Sequence, residues 1–165
     1  MGLHPAIDSA LEFPPGTQDQ LEARMKTVRQ MLHEKSPLLS VPPTATVYEA
    51  LVLMARHDVG ALVVLDQGRL VGMFSERDYA RKVILQGKAS KDLAVSEIMT
   101  ARVLYVGPDD SVEGCMALMT GKHVRHLPVV EADIVIGLVS IGDVVKALLH
   151  EQQFFINQLE RYITA

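Results

Sequence analysis

The chain contains 165 residues with a mass of 18.1 kDa, of which 48% are apolar, and its 16 basic and 20 acidic side chains give a formal net charge of −4. This length and apolar content fit one globular domain or two very small ones, and they exclude a disordered protein. Mild acidity and a 5% share of aromatic residues argue against binding of a nucleic-acid polymer, which usually needs a basic face and aromatic side chains for base stacking.

The N-terminal residues 1–25 stand apart from the rest of the sequence. They lack the basic and apolar regions of a signal peptide, and no apolar run in the sequence is long enough to cross a membrane. The only cysteine is Cys115, and no Cys/His cluster has zinc-ligand spacing, so we expect a cytoplasmic protein that requires no metal. After the break at Phe13-Pro-Pro-Gly16, a helix is predicted from about Gln18 to His33.

The next segment has the pattern β-α-β-β-α. A short strand, Leu38 to Val41, ends at two prolines, and Thr46-Val-Tyr-Glu49 has the capping-box pattern of a helix N-terminus. Two apolar strands follow that helix, Ala61 to Leu65 and Leu70 to Phe74, and the turn residues between them are typical of a hairpin. Their continuous apolar character predicts strands buried on both faces. A second helix is predicted to begin at Ser75 or Glu76.

The second half of the chain repeats the first. Residues 41–85 align without a gap on residues 106–150 at an offset of 65, and 11 of the 45 positions are identical. Typical residue frequencies would give about three identities, so the segment is a duplication. The second copy has a helix after Ser111, strands at Leu127 to Val130 and Val135 to Val139, and a helix from Ser140 or Ile141. The sequence therefore predicts the β-α-β-β-α unit twice.

The fold class that follows is mixed α/β, of the α+β kind. Each unit of about 55 residues is too short to bury its apolar surface alone, so we expect the two units to pack about a pseudo-twofold axis. The predicted domains are an N-terminal extension (1–25), a first unit (26–86), a linker (87–93), a second unit (94–150) and a helical tail (151–165). The tail carries four apolar side chains with no partner in the repeat, which predicts a homodimer contact: Phe154, Phe155, Leu159 and Tyr162.

Both copies keep the polar pattern Gly-x-x-Ser-x-x-Asp, as Gly72/Ser75/Asp78 and Gly137/Ser140/Asp143. Each serine lies at a strand-to-helix junction, where free backbone N–H groups favour an anion or a polar oxygen. The aspartate lies one helical turn further on, and a carboxylate can accept both hydroxyls of a ribose. The alternative is a purely structural role, in which the serine caps the helix and the aspartate is a first-turn acid.

These features resemble a CBS domain pair, also called a Bateman module. The resemblance covers Thr27 to His150 and rests on three features: the repeated unit, the Pro-Val strand in Arg125-His-Leu-Pro-Val129, and the lead-in segments Val28 to Leu32 and Val95 to Thr100. It implies that each aspartate binds the ribose hydroxyls of an adenine nucleotide such as AMP, ATP or NAD, in one of two clefts between the paired motifs. The residues implied for one cleft are Ser75, Arg77, Asp78, Thr100, Val103, Arg125, His126 and Pro128. Those implied for the other are Ser140, Asp143, Lys35, Leu38, Gly60 and Ala61.

The two clefts differ in charge. Arg125 and His126 of the second copy correspond to Gly60 and Ala61 of the first, so the Asp78 cleft alone gains this cationic pair for a phosphate. We therefore expect the Asp78 cleft to prefer a phosphorylated ligand and the Asp143 cleft to be weaker or to prefer a nucleoside.

The leading functional hypothesis is a non-enzymatic nucleotide sensor that signals to an effector protein through a conformational or oligomeric change. One alternative is a structural oligomerisation module with vestigial clefts. Another is a nucleotide-processing enzyme, which is disfavoured because the sequence lacks a phosphate-binding glycine loop, a catalytic triad pattern and a metal cluster.

Overall fold

The structure is a computed structural model that describes residues 26–33 and 37–164, and it divides into two compact units. Unit 1 comprises Pro37–Tyr105 and Pro128–Leu138, and unit 2 comprises residues 26–33, 106–127 and 139–164. Of the helix predicted from Gln18 to His33, the structure contains α1, Val28–Leu32, whereas residues 18–25 lie outside the described residues.

The helices and strands of unit 1 follow the predicted order of the first copy. The predicted capping box at the start of its first long helix is confirmed, because the Thr46 N–H bonds to Oε2 of Glu49 at 2.8 Å and the Glu49 N–H bonds to Oγ1 of Thr46 at 3.1 Å. The elements are β1 (Ser40–Val41), α2 (Val47–His57), β2 (Ala61–Asp66), β3 (Arg69–Ser75), α3 (Glu76–Lys82), a 3-10 turn (Ile84–Gln86) and α4 (Val95–Ile98).

A three-stranded sheet organises unit 1. Strand β1 pairs in parallel with β2, and β2 pairs antiparallel with β3 through a tight turn in which Gln67 and Gly68 have positive φ. Alternate residues of β2 enter different clusters: Leu62 and Val64 pack with α2, whereas Ala61 and Val63 pack with Met73 and with residues of the second hairpin. The prediction that these strands are buried on both faces is confirmed.

The second copy contains α5 (Val112–Lys122), β4 (His126–Glu131), β5 (Ile134–Ser140) and α6 (Ile141–Thr164). Strands β4 and β5 form a two-stranded sheet whose residues 128–138 belong to unit 1 and whose ends belong to unit 2. In unit 2, α1 is joined to the start of α5 by backbone bonds, from Val28 N–H to the Asp110 carbonyl at 2.9 Å and from Val112 N–H to the Lys26 carbonyl at 3.0 Å. The α+β class and the duplicated element order are therefore confirmed, and pseudo-twofold packing stays a prediction.

Two features of the second copy differ from the prediction. The strand expected before α5 is reduced to a one-residue bridge at Val106, because the Gly107 N–H is bonded to the Asp110 carboxylate at 2.7 Å and Pro108 has no N–H. The burial on both faces that the repeat predicts for the equivalent strand of the second copy is wrong for β5, since Ile134 and Ile136 are exposed while Val135 and Gly137 are buried. This alternation is the pattern of a strand that is covered on one face.

The C-terminal tail continues the last helix without a break, as predicted, because α6 extends over 24 residues from Ile141 to Thr164. Phe154 is 61% exposed, as expected for a side chain of this tail that packs against a second copy. The side chains of Phe155, Leu159 and Tyr162 lie outside the described residues.

Two glutamates in unit 2 approach each other between α5 and α6. Burial, together with the charge of Glu151 and a hydrogen bond to it, raises the pKa of the Glu113 carboxyl. Oε2 of Glu113 is buried with no hydrogen-bond partner among residues 26–33 and 37–164, whereas Oε1 of Glu151 accepts the Lys26 N–H at 2.9 Å. Folding therefore favours the protonated form of Glu113, and its ionised form opposes the packing of α5 on α6.

We expect Glu113→Gln to stabilise the protein at pH 7 and to have little effect near pH 4. The pKa of Glu113 is raised in the folded state. Glu113 therefore destabilises the folded state only when the pH rises above the pKa of an unperturbed glutamate, about 4.3. A gain in Tm of about 1–3 °C at pH 7 is expected in thermal melts recorded by circular dichroism. Bonds from the Thr46 N–H and hydroxyl lower the pKa of Glu49, so Glu49→Gln should lower Tm at pH 7. Equal effects of Glu113→Gln at both pH values would contradict this interpretation.

Candidate functional site

The Gly-x-x-Ser-x-x-Asp motif of the first copy spans the junction of β3 and α3. Ser75 is the N-cap of α3 and forms a capping box with Asp78. Oδ2 of Asp78 accepts the Ser75 backbone N–H at 3.1 Å and its hydroxyl at 2.9 Å, while the Ser75 hydroxyl oxygen accepts the Asp78 N–H at 3.3 Å. The motif therefore has the capping role that sequence reasoning gave as its structural alternative, and this role fixes the carboxylate at the helix N-terminus.

The second carboxylate oxygen of Asp78 binds groups from outside the motif. Oδ1 accepts the Thr100 hydroxyl at 3.1 Å and lies 2.9 Å from the ammonium nitrogen of Lys82. The same ammonium donates to the Ile98 carbonyl at 2.8 Å, at the end of α4. Asp78 is only 9% exposed, so a buried negative charge is neutralised by one lysine and bonded by two hydroxyls and one backbone N–H.

Gly72, the first residue of the motif, allows Thr100 to reach this carboxylate. Met73 and Thr100 exchange backbone bonds of 2.9 and 2.8 Å, which hold the segment after α4 against β3. A Cβ on Gly72 would come within 2.9 Å of Cγ of Met99 and 3.2 Å of the Thr100 carbonyl oxygen. Close approach of two backbone segments is one of the conformations that favour glycine, and here it places a hydroxyl on Asp78.

The other residues predicted for the clefts and located in unit 1 have varied environments. Arg77 is exposed on α3, and Val103 and Leu38 are partly buried against the same apolar cluster. The Gly60 carbonyl accepts the Glu76 N–H at 3.1 Å. Two of the predicted residues have buried side chains: Ala61 and Pro128.

The motif of the second copy has the same local geometry in unit 2. Oδ2 of Asp143 accepts the Ser140 N–H at 2.7 Å and the Ser140 hydroxyl at 2.8 Å, and the Asp143 N–H bonds to that hydroxyl oxygen at 3.2 Å. The Arg125 carbonyl accepts the Ile141 N–H at 2.8 Å, as Gly60 does in the first copy. The Arg125 side chain is exposed and His126 is partly buried.

The structure thus brings together Ser75, Asp78 and Thr100, three of the residues that the resemblance implies for one cleft. The contribution of Arg125 and His126 to that cleft stays a prediction, and Lys35 lies outside the described residues. Sequence reasoning missed Lys82, although its spacing of four residues from Asp78 on one helix is typical of an ion pair. The equivalent residue in the second copy is Ala147, which is 4% exposed.

The described residues show neither a metal centre nor a membrane span. No group of three His, Cys, Asp or Glu side chains in residues 26–33 and 37–164 is arranged to hold a metal ion. None of the helices in that part of the chain combines the length and the apolar character that crossing a bilayer demands.

Comparison with known proteins identifies relatives of both halves. The CBS domain family matches residues 28–84 and 95–150. CBS domain-containing protein CBSX3, mitochondrial, from Arabidopsis thaliana is 46% identical over 123 residues, which are 72% of this chain and 60% of that protein. This chain therefore matches about three fifths of the length of that relative.

Two solved structures bear on the fold and on ligand binding. A candidate signal-transduction protein with CBS domains from Burkholderia ambifaria is 47% identical with a TM-score of 0.74, covering 77% of this chain and 96% of that one. The CBS domain pair of protein MJ0100, in complex with 5′-methylthioadenosine and S-adenosyl-L-methionine, is 25% identical with a TM-score of 0.69, covering 77% of this chain and 98% of that one. The CBS domain family matches this chain twice, and the similar proteins also contain CBS domains. The chain therefore belongs to the CBS domain family, as a CBS-domain pair.

Proposed function

We propose that this protein is a regulatory module that binds an adenine nucleotide, such as AMP, ATP or NAD, at the site built on Asp78. The observation that carries the proposal is the carboxylate of Asp78, held at a helix N-terminus by Ser75 and joined on its other oxygen by Thr100 and Lys82. A carboxylate fixed in this way is suited to accept a ribose hydroxyl. The adenosine-containing ligands of the MJ0100 domain pair support the same ligand class.

Charge distinguishes the two motifs in this proposal. Arg125, His126 and Arg77 are the cationic residues that we assign to the phosphate of a ligand at Asp78, because charge-assisted bonds to phosphate are stronger than neutral ones. In the first copy the residues equivalent to Arg125 and His126 are the uncharged Gly60 and Ala61, and these are the residues that we assign to the Asp143 site. We therefore assign phosphorylated ligands to Asp78, and weaker or nucleoside binding to Asp143.

A thermal-shift panel tests the function. AMP, ATP, NAD and 5′-methylthioadenosine are added at 1 mM to the full chain, with GMP as the control for base selectivity. A ligand that binds only the folded state stabilises it, and a concentration 100 times Kd gives about 2.7 kcal/mol. We expect at least one adenine ligand to raise Tm by about 5–10 °C and GMP to raise it less. Tm unchanged with all five ligands would instead favour a structural module with vestigial clefts.

A regulatory rather than catalytic role is part of the proposal. Burial raises the pKa of the Cys115 thiol to about 11, so this cysteine is suited to core packing and not to nucleophilic attack. A lone, buried and reduced cysteine also supports a cytoplasmic location. Incubation of the purified protein with AMP, ATP and NAD, followed by chromatography, should return each nucleotide unchanged, and hydrolysis at an enzymatic rate would favour the enzyme hypothesis.

We also propose that a second copy of the chain covers α6. Val145, Leu149, Ile156 and Ile163 are 41, 59, 48 and 81% exposed, and their spacings of four and seven residues follow the heptad pattern of a helix seam. An open surface depression of about 470 Å³ includes the N-terminal half of the same helix, at Ile141, Gly142, Val145, Lys146, Leu149 and His150. A seam this apolar is suited to an identical helix, and the dimer would provide the oligomeric output of the sensor.

Ile156→Asp is expected to weaken the dimer at least tenfold, because it places a charge in a seam that must lose water. Sedimentation velocity over a range of concentrations measures this change. Asn157→Asp is the matched control, since it adds the same charge one residue off the seam and keeps the oxygen that accepts from Gln153. Identical sedimentation of wild type and Ile156→Asp would contradict the assignment of α6 to the dimer.

A further inference from the structure

The ammonium group of Lys82 occupies the carboxylate oxygen of Asp78 that a ligand would need. Oδ2 already accepts two bonds from Ser75, at 3.1 and 2.9 Å, and Oδ1 accepts Thr100 at 3.1 Å and contacts Lys82 at 2.9 Å. A carboxylate offers about four acceptor positions, so all of those of Asp78 are in use. We propose that Lys82 is a specificity-determining residue, which makes the Asp78 site select ligands that carry a phosphate over uncharged nucleosides. This inference rests on the proposed function.

A ribose can bond to Asp78 only by displacing one of these donors, and Lys82 is the donor most easily displaced. The two bonds of Ser75 belong to the capping box that begins α3, so breaking them would uncap the helix. Thr100 is held in place by its backbone pairing with Met73. The Lys82 side chain is 39% exposed against 11% for Asp78, and four rotatable carbons allow the ammonium to swing away.

The cost of this displacement differs between ligands. Moving Lys82 breaks its ion pair with Asp78 and its bond to the Ile98 carbonyl at 2.8 Å. A nucleoside replaces these with neutral hydroxyl bonds to Asp78 and leaves the ammonium to water. A nucleotide also supplies a phosphate with which the ammonium can form a new charge-assisted bond, which is about twice as strong as a neutral one. The exchange therefore favours phosphorylated ligands.

The second copy lacks this lysine. At the position four residues after Asp143 it has Ala147, which is 4% exposed and carries no charge. The local capping geometry of Asp143 is otherwise the same as that of Asp78. The difference at this one position gives a physical reason, independent of Arg125 and His126, for the two motifs to prefer different ligands.

The experiment measures the ratio of Kd for adenosine to Kd for AMP by calorimetry, using the full chain. We expect wild type to prefer AMP by about tenfold or more, which corresponds to one charge-assisted bond. In Lys82→Met the ratio should fall to near one, through weaker AMP binding and equal or tighter adenosine binding. Lys82→Gln keeps a donor for the Ile98 carbonyl without the charge, so it should show the same loss even if the methionine variant is unstable.

Two control variants separate the charge of Lys82 from other effects. Lys82→Arg keeps a cation beside Asp78 and should keep most of the preference for AMP. Lys122→Met removes one positive charge from the last turn of α5, a helix of unit 2, and should keep the wild-type ratio. If the Lys82→Met and Lys82→Gln variants keep the wild-type ratio, the inference is overturned while nucleotide binding stands. If wild type binds neither ligand, the proposed function itself fails.

Discussion

Asp78→Ala is expected to weaken AMP binding by about a hundredfold in a calorimetric titration. The substitution removes the acceptor position that Lys82 would give up to the ribose, and a hydrogen bond to a charged group contributes about 1.5–3 kcal/mol. It also leaves the Lys82 ammonium beside an alanine, so the group that we assign to the phosphate loses its resting partner. The loss of ribose contacts should outweigh any gain from a freed ammonium.

Asp143→Ala is the matched control for this experiment. It removes the same capping contacts, because Ser140 and Asp143 repeat the bonds of Ser75 and Asp78. Loss of these capping contacts should cost each variant about 0.5–2 kcal/mol, and Asp78→Ala loses in addition the bond from Thr100 and the ion pair with Lys82. AMP affinity at the tighter site of Asp143→Ala should stay within about threefold of wild type. Wild-type AMP affinity in Asp78→Ala would refute the assignment of the site.

Gly72→Val is expected to destabilise unit 1 by about 1–3 kcal/mol, which lowers Tm by about 3–10 °C. Even a single Cβ would come within 3.2 Å of the Thr100 carbonyl oxygen, and that carbonyl is bonded to the Met73 N–H at 2.9 Å. The side chain of Met99 can move aside, but the backbone of Thr100 moves only if the pairing with β3 loosens. Because Thr100 also bonds to Asp78, the same variant should weaken AMP binding.

Gly121→Ala is the matched control for Gly72, and it should have the opposite sign. Gly121 lies in α5 without a positive φ, and a Cβ at this position would meet no atom of the described residues within 4 Å. Alanine should therefore raise stability by up to about 1 kcal/mol, because it favours the helix more than glycine does. Thermal melts of the two variants and wild type provide the comparison. If Gly72→Val had the same Tm as wild type, the residue at this position would not constrain the approach of Thr100 to β3.

Local signals in the sequence predicted the elements that build the site. The hydroxyl of Thr46 and the carboxylate of Glu49 lie three residues apart, and capping depends only on such neighbours, so the start of α2 is where the pattern places it. The junction at Ser75 follows for the same reason. The repeat at an offset of 65 then carries each local assignment to the second copy, as the equal geometry of Ser140 and Asp143 shows.

Features of the structure that depend on residues far apart in the sequence could not be predicted from local patterns. The ion pair of Lys82 has a local spacing, but its importance comes from the carbonyl of Ile98 and the hydroxyl of Thr100, which tertiary structure brings to the same carboxylate. The apolar sequence of β5 does not show whether other residues cover both faces of the strand. In the structure Ile134 and Ile136 are exposed. The hydrophobic periodicity of the sequence also gives no sign that the Gly107 N–H bonds to the Asp110 carboxylate and is therefore not available for strand pairing.

A crystal structure of the full chain grown with AMP is the decisive test of ligand binding at Asp78. The assignment of AMP to this site predicts a ribose hydroxyl within hydrogen-bonding distance of Oδ1 of Asp78, with the Lys82 ammonium moved from that oxygen to the phosphate. AMP bound elsewhere, with Lys82 still on Asp78, would contradict it.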